Sequence, residues 1–282
     1  MAEEKQVKRI QQKALQMRRN IIEMGYTAKD RGAHFGPALS SVEIIASLYF
    51  GAMHHDPLHP EMNDRDRFVQ SKGHACLAYY AALVEAGYIA REQMYTFKQD
   101  GSFLSGHPSR NLRHGIEISS GSLGNGFSIA CGMAKGAKMR QMDHTVFCLV
   151  GDGECNEGLV WESAMNAAKN RLDNLVAIVD RNGVQLAGKT CDIMDFDIEA
   201  VWKAFGWDVM TVSQGNEVDV VLEALLRMKQ TREGKPHVII TDTVKGKGIS
   251  FMEDSLDWHA RAMGSEHYEM AIGDLDAATG RV

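Results

Sequence analysis

Four short apolar runs in the second half of the chain leave little freedom about its fold. Thr145–Val150 (TVFCLV), Asn174–Val179 (NLVAIV), Asp208–Val212 and His237–Val244 are predominantly apolar. Helix-patterned stretches at 157–170, 197–204 and 217–232 fall around and between them. Continuously apolar strands are buried on both faces, and strands that alternate with helices pair in parallel. The expectation is therefore an α/β chain, a mostly parallel sheet flanked by helices on both faces, with right-handed crossovers.

Upstream, Ile10, Ala14, Met17, Ile21 and Met24 recur at helical steps and predict an amphipathic helix over 5–24, stopped by Gly25. Further helices are expected at 41–50, at 74–87 with Gly87 as its end, and at 124–139. The last carries Gly126, Gly132 and Gly136, which predicts close packing against it. Between them, 100–125 is a polar loop rich in Gly, Ser and His. No repeat, low-complexity segment or Pro-rich linker divides residues 1–282, so one domain with an N-terminal helix is expected.

Composition excludes some classes of function. A net charge of −6 and the lack of a Lys/Arg block argue against nucleic acid as partner. No apolar run is long enough to suggest a membrane span or signal core. The five cysteines (Cys76, Cys131, Cys148, Cys155, Cys191) form no C-x-x-C pair, which fits reduced thiols and a cytoplasmic location.

Chemistry concentrates where the apolar runs end. Gly151-Asp152-Gly153 closes one run and Asn182 follows the next. Ligands gather beyond the carboxyl ends of parallel strands. Neighbouring strands lie about 4.8 Å apart, so both side chains can reach one ion. Their oxygens are hard ligands that suit Mg²⁺ or Ca²⁺ held against phosphates. Gly151 and Gly153 lack a Cβ and let backbone approach a phosphate, and a helix starting near Glu157 offers free N–H groups. Gly-Asp-Gly alone is equally compatible with an ordinary strand–turn–helix.

The segment GDGECNEGLVWESAMNAAKNRLDNLVAIVDRN resembles the thiamine diphosphate-binding signature, which runs from GDG to a terminal asparagine. It departs from the signature at Arg181, where an asparagine or aspartate usually precedes the ligand. With RGAHFGPALS, DRFVQSKGHA, SGHPS, ISSGSLGNGFSIACGMA, TVKGKGISFM and DWHA, the chain from about residue 7 to about 265 resembles the N-terminal half of transketolases, with the motifs in family order. The resemblance implies a thiamine diphosphate-binding fold. It implies a metal held by Asp152, Asn182 and the carbonyl of Val184. His74 would contact the diphosphate with Gly124 and Gly153. Gly151, Glu154, Asn182 and His259 join the cofactor-binding set, and Ser122-Leu123-Gly124 would lie against the cofactor rings. His34, His107 and His259 would line the substrate channel.

Eleven histidines are present, and any one of them alone is more often a satisfied structural group. Ketol transfer gives these four a purpose: imidazoles near neutral pKa can donate to a developing alkoxide and shuttle protons between hydroxyls. Glu157 is, at its plainest, a carboxylate favoured at a helix N-terminus. The resemblance implies more, a glutamate linking two active sites of a dimer. Arg181, Lys245 and Lys247 are anion contacts or solvated charges. Trp161, Trp202, Trp207 and Trp258 are core or interface, with Trp258 near the substrate entrance.

The family's pyrimidine-binding and C-terminal domains follow this half, and the chain ends before them. The expectation is the N-terminal subunit of a split transketolase, transferring a two-carbon ketol unit between sugar phosphates. A C-terminal subunit would complete an α2β2 assembly. Two alternatives remain: the α-type subunit of another thiamine enzyme (a 2-oxo acid dehydrogenase or a deoxyxylulose phosphate synthase), and a non-catalytic cofactor-binding module.

Overall fold

A computed structural model of the chain describes residues 4–280. Helix α1 (Glu4–Thr27) precedes the short helices α2 (Gly36–Leu39) and α3 (Val42–Ser47). Then come β1 (Arg67–Gln70), α4 (Cys76–Ala86), α5 (Asn125–Met139), β2 (Val146–Gly151), α6 (Gly158–Lys169) and β3 (Leu175–Arg181). The chain finishes with α7 (Thr190–Ile193), α8 (Ile198–Ala204), β4 (Asp208–Val212), α9 (Val218–Gln230), β5 (His237–Asp242) and α10 (Ser265–Thr279).

The five strands form one sheet in the order β1-β2-β3-β5-β4, and every pairing is parallel. Successive side chains on a strand point to opposite faces. On β2, Phe147 and Leu149 enter one core, with α1, α3, α4 and α9, whereas Val146, Cys148 and Val150 enter the other, with α5, α6 and α8. This two-sided burial is why the runs at 145–150 and 174–179 are continuously apolar. The α/β expectation holds. Among the described residues no helix is long and apolar enough to cross a membrane.

All five stripe residues of α1 are buried, the four Ile and Met side chains contributing about 1.5–3 kcal/mol each. Gly25, however, does not stop the helix, which runs on to Thr27. A Cβ there would lie 2.1 Å from Phe35 Cε1, so this glycine permits a close approach. Gly87 does end α4, in the left-handed conformation at φ 90°. The helix expected at 41–50 is shorter, Val42–Ser47, followed by a π turn over Leu48–Ala52. Strand β1 and helix α10 had no counterpart in the sequence expectations.

The glycines of α5 divide. A Cβ at Gly126 would meet Ser71 Cα at 2.6 Å, the expected close packing. Gly132 and Gly136 have nothing within 4 Å and face outward, contrary to expectation.

Candidate active site

Asp152 directly follows β2 and Asn182 directly follows β3; the two strands are neighbours in register, Gly151 beside Asp180. Beyond their carboxyl ends lies a cleft of about 240 Å³. Asp152, Asn182 and Val184 line it, together with His74, Leu123 and His259 among others. Asp152 Oδ1 accepts from Gly153 N (2.8 Å), and Oδ2 from Gly183 N (2.7 Å) and Thr190 Oγ1 (3.2 Å). Burial, then the nearby Asp180, raises its carboxyl above the usual carboxylate value. Asn182 Oδ1 accepts from Val184 N (3.1 Å), and its Nδ2 donates to Asp180 Oδ2 (3.1 Å).

Beneath this lining is a charged network that sequence reasoning missed. Lys72 and Asp180, both buried, form an ion pair. Ser40 Oγ (2.7 Å) and Thr243 Oγ1 also donate to Asp180. Lys245, expected to be an anion contact or a solvated charge, is fully buried, which removes the second. Its Nζ donates to Val184 O (2.9 Å) and to His259 Nδ1 (2.9 Å). Burial, then Lys72, pushes its ammonium down to about 8. The usable signal was positional: Lys72 follows β1, Asp180 lies in β3 and Lys245 follows β5, all at the carboxyl edge. Arg181 pairs with Asp242 (2.5 Å), which gives the departure from the signature a structural role.

Four loops bring the histidines together. The His34 ring lies 5.5, 5.8 and 5.6 Å from those of His74, His107 and His259, and His74 stacks on His259 at 5.4 Å. His74 and His259 line the cleft, His34 joins them from outside its lining, and His107 is exposed. All four are lowered, and His34, His74 and His259 lie well below neutral, contrary to expectation. Burial and then His107, Lys98 and Lys245 lower His34 to about 4; burial and then Lys245 lower His259 to about 3. His74 is held well below its usual value by burial and then Lys72, and His107 is lowered by burial and then Lys98. Trp258 is buried against Phe35 and Phe251 beneath this cluster.

Glu154 borders the cleft, yet its carboxylate is engaged by the protein. Ser71 Oγ (2.5 Å) and Gly124 N (2.8 Å) donate to Oε1, and Gly151 N (3.1 Å) donates to Oε2. It therefore fixes the backbone at Gly124, where φ is +81° and a side chain would be strained. Leu123 lines the cleft, and Ser122 is exposed beside it. A 3₁₀ turn, Gly153–Asn156, separates Asp152 from α6, so that turn, and not the helix start, borders the cleft. Glu157 caps α6 by position only; its exposed side chain makes no capping hydrogen bond and does not reach the cleft.

Two observations bear on what the cleft can hold. Gln185 Nε2 lines it, buried and without an acceptor, as a phosphate oxygen would require. Among the described residues no group of three or more His, Cys, Asp or Glu could hold a metal ion. A cation here would have to use Asp152, an amide oxygen and backbone carbonyl, completed by ligand oxygens, a shell typical of Mg²⁺.

Comparison with known proteins gives a consistent answer. A family model described as transketolase, thiamine diphosphate binding domain, matches residues 10–273. An apulose-4-phosphate transketolase subunit of Phocaeicola vulgatus is 40% identical over 271 residues, 96% of this chain and 95% of that protein. A 6-deoxy-6-sulfo-D-fructose transketolase subunit of a Clostridium species is 40% identical over 86% of this chain and 88% of its own length. Among solved structures, transketolase from Campylobacter jejuni superposes with a TM-score of 0.85 at 28% identity, over 94% of this chain but 43% of that one. The chain thus spans less than half of the solved enzyme it resembles.

Proposed function

The chain belongs to the transketolase family, matching its thiamine diphosphate-binding domain, and we propose that it is one subunit of a two-subunit enzyme that transfers a two-carbon ketol unit between sugar phosphates. The observation that carries this reading is the convergence on one cleft of Asp152, Asn182, the Val184 carbonyl and the histidine cluster. In this proposal Asp152 and Asn182 give side-chain oxygens, and Val184 its carbonyl, to Mg²⁺ or Ca²⁺. His74, Gly153 and Gln185 face the diphosphate, and Ser122-Leu123-Gly124 the rings. Bound thiamine diphosphate would supply the carbanion-stabilising centre for C–C cleavage.

The chain's own residues then do the positioning and proton work. The Lys245 ammonium can only donate, so His259 Nδ1 accepts and the ring proton resides on Nε2. That N–H is free to donate to a substrate oxygen as negative charge develops there. With their conjugate acids at about 3 and 4, His259 and His34 are neutral at pH 7 and serve as hydrogen-bond donors. His107, exposed at the rim, is placed for substrate hydroxyls.

A partner carrying the pyrimidine-binding and C-terminal domains would complete the site, in an α2β2 assembly. An open face supports this part of the reading. Gly132 and Gly136 have nothing against them, and Ile129, Met139 and Met165 are 42%, 77% and 49% exposed. Contiguous apolar exposure marks interaction surfaces. Glu157 stands at the N-terminal end of the same helix, beside Gly124, where a linking carboxylate would stand. The test is a ketol-transfer assay against a panel of ketose phosphates, with and without a candidate C-terminal subunit. Turnover should need both chains; full turnover by this chain alone would remove the partner, and pyruvate decarboxylation by the pair would favour the other thiamine enzymes.

A further inference from the structure

A second cleft opens at the other end of β1 from His74, and its charge is not balanced by the protein. It has a volume of about 490 Å³, within the range of small-molecule sites. Four arginines line it: Arg65 and Arg67 around the start of β1, Arg110 and Arg113 from the 107–121 segment. Arg65 is neutralised by Glu117, with which it forms a buried ion pair. Among the described residues the other three make no ion pair. Arg67 Nη2 donates to the carbonyls of Met62 (3.1 Å) and Asn63 (3.3 Å), while Nη1 is buried with no acceptor. Glu61 is the one further acid in the lining, and it lies 3.6 Å from His59. Three guanidiniums, one with a buried unsatisfied N–H, thus face one carboxylate across an open space.

The cleft is connected to the histidine cluster by the backbone. Residues 107–121 double back on themselves: Ser120 N donates to Pro108 O (3.0 Å), Arg110 N to Ser119 Oγ (3.0 Å), and Asn111 pairs with Ile116. The base of this hairpin carries His107, and its tip is tied down by Tyr79, whose hydroxyl donates to Gly115 O (2.6 Å). Arg110 and Arg113 lie along the hairpin between these two ends.

We propose that this cleft binds a phosphate-bearing small molecule through Arg67, Arg110 and Arg113. Planar guanidiniums match phosphate oxygens in paired hydrogen bonds, and Leu112 and Met133 in the lining offer an apolar wall to the rest of the ligand. The site is independent of the thiamine reading, because none of its residues lines the cofactor cleft.

The test follows the Arg67 side-chain N–H resonance by NMR while methyl phosphate is titrated into the full chain. Saturable shifts are expected at Arg67. In Arg110→Ala/Arg113→Ala the midpoint should rise about a hundredfold, roughly tenfold for each charged hydrogen-bonding partner removed. Arg110→Lys/Arg113→Lys keeps the charge and loses the fork, so it too should weaken binding. Both pairs of substitutions are in a surface hairpin, and an unchanged far-ultraviolet circular dichroism spectrum and thermal melt report that the variants are folded. A wild-type midpoint in either variant overturns the proposal. So does an excess of a C-terminal subunit that shifts Arg67 and excludes methyl phosphate, which would make the cleft a protein interface.

Discussion

Lys72→Met tests whether charge holds the floor of the cofactor cleft. Lys72 and Asp180 are 1% and 0% exposed, so the substitution leaves a buried carboxylate without its counter-ion. Removing one member of a buried pair costs about 3–5 kcal/mol. Asp180 keeps three neutral donors, from Ser40, Asn182 and Thr243. These place the expected loss at the lower end, about 3 kcal/mol at pH 7. Urea denaturation followed by circular dichroism should show a lower midpoint at unchanged slope. The pH dependence supplies a second sign. Burial alone would raise the Asp180 carboxyl, but Lys72 and the hydroxyls outweigh it and hold it below its usual 3.8. A depressed carboxyl contributes stability that is present above the unfolded value and lost as pH falls through the folded one. Without Lys72 that carboxyl rises and takes up a proton sooner, so the deficit of the variant should narrow on acidification. Adding Asp180→Asn should recover part of the loss. A deficit below about 1 kcal/mol, as for an exposed pair, with no pH dependence, refutes the argument.

Asp152→Ala should abolish metal-dependent retention of thiamine diphosphate, measured by calorimetry, because the proposed ion loses its carboxylate. His259→Ala should leave the cofactor bound and slow reconstituted turnover about 10²-fold, the loss of one donor to a developing oxyanion. His34 and His259, at about 4 and 3 when folded against 6.5 unfolded, make the unfolded chain the better proton acceptor. Stability should therefore be intact above about pH 6.5 and fall as pH drops toward 4, seen as a falling urea midpoint; a flat profile contradicts the neutral cluster. Gly136→Leu, at an open helical position, should keep or slightly raise the melting temperature while weakening association with a C-terminal subunit, seen by sedimentation.

The parts of the fold visible in the sequence are those where one physical demand acts on every residue of an element. Val146–Val150 of β2 and Leu175–Val179 of β3 are buried on both faces, so each of these positions had to be apolar, and the pattern was unambiguous. β1 is four residues, RFVQ, at the sheet edge, too short and too polar to show a period. Gly25 was misjudged because a glycine that ends a helix and one that admits a neighbouring ring look alike in one dimension; Phe35, ten positions on, decides between them.

The same contrast runs through the site. Asp152 and Asn182 sit at strand ends set by local pattern, so their juxtaposition followed once the strands were known to be neighbours. Lys72 and Asp180 were missed, and Lys245 was left undecided, because a charge in sequence carries no sign of its burial. The histidines were individually legible, but their proton affinities were not. These depend first on burial and then on Lys72, Lys98 and Lys245, and every one of those causes acts in the same direction. Gly132 and Gly136 complete the contrast from the opposite side. Their small size implied a close neighbour, and among the described residues none lies within 4 Å, whereas Gly126 does meet one. A helix with one glycine against its own fold and two turned outward is packed on one side only, and its other side is the face offered to the proposed partner.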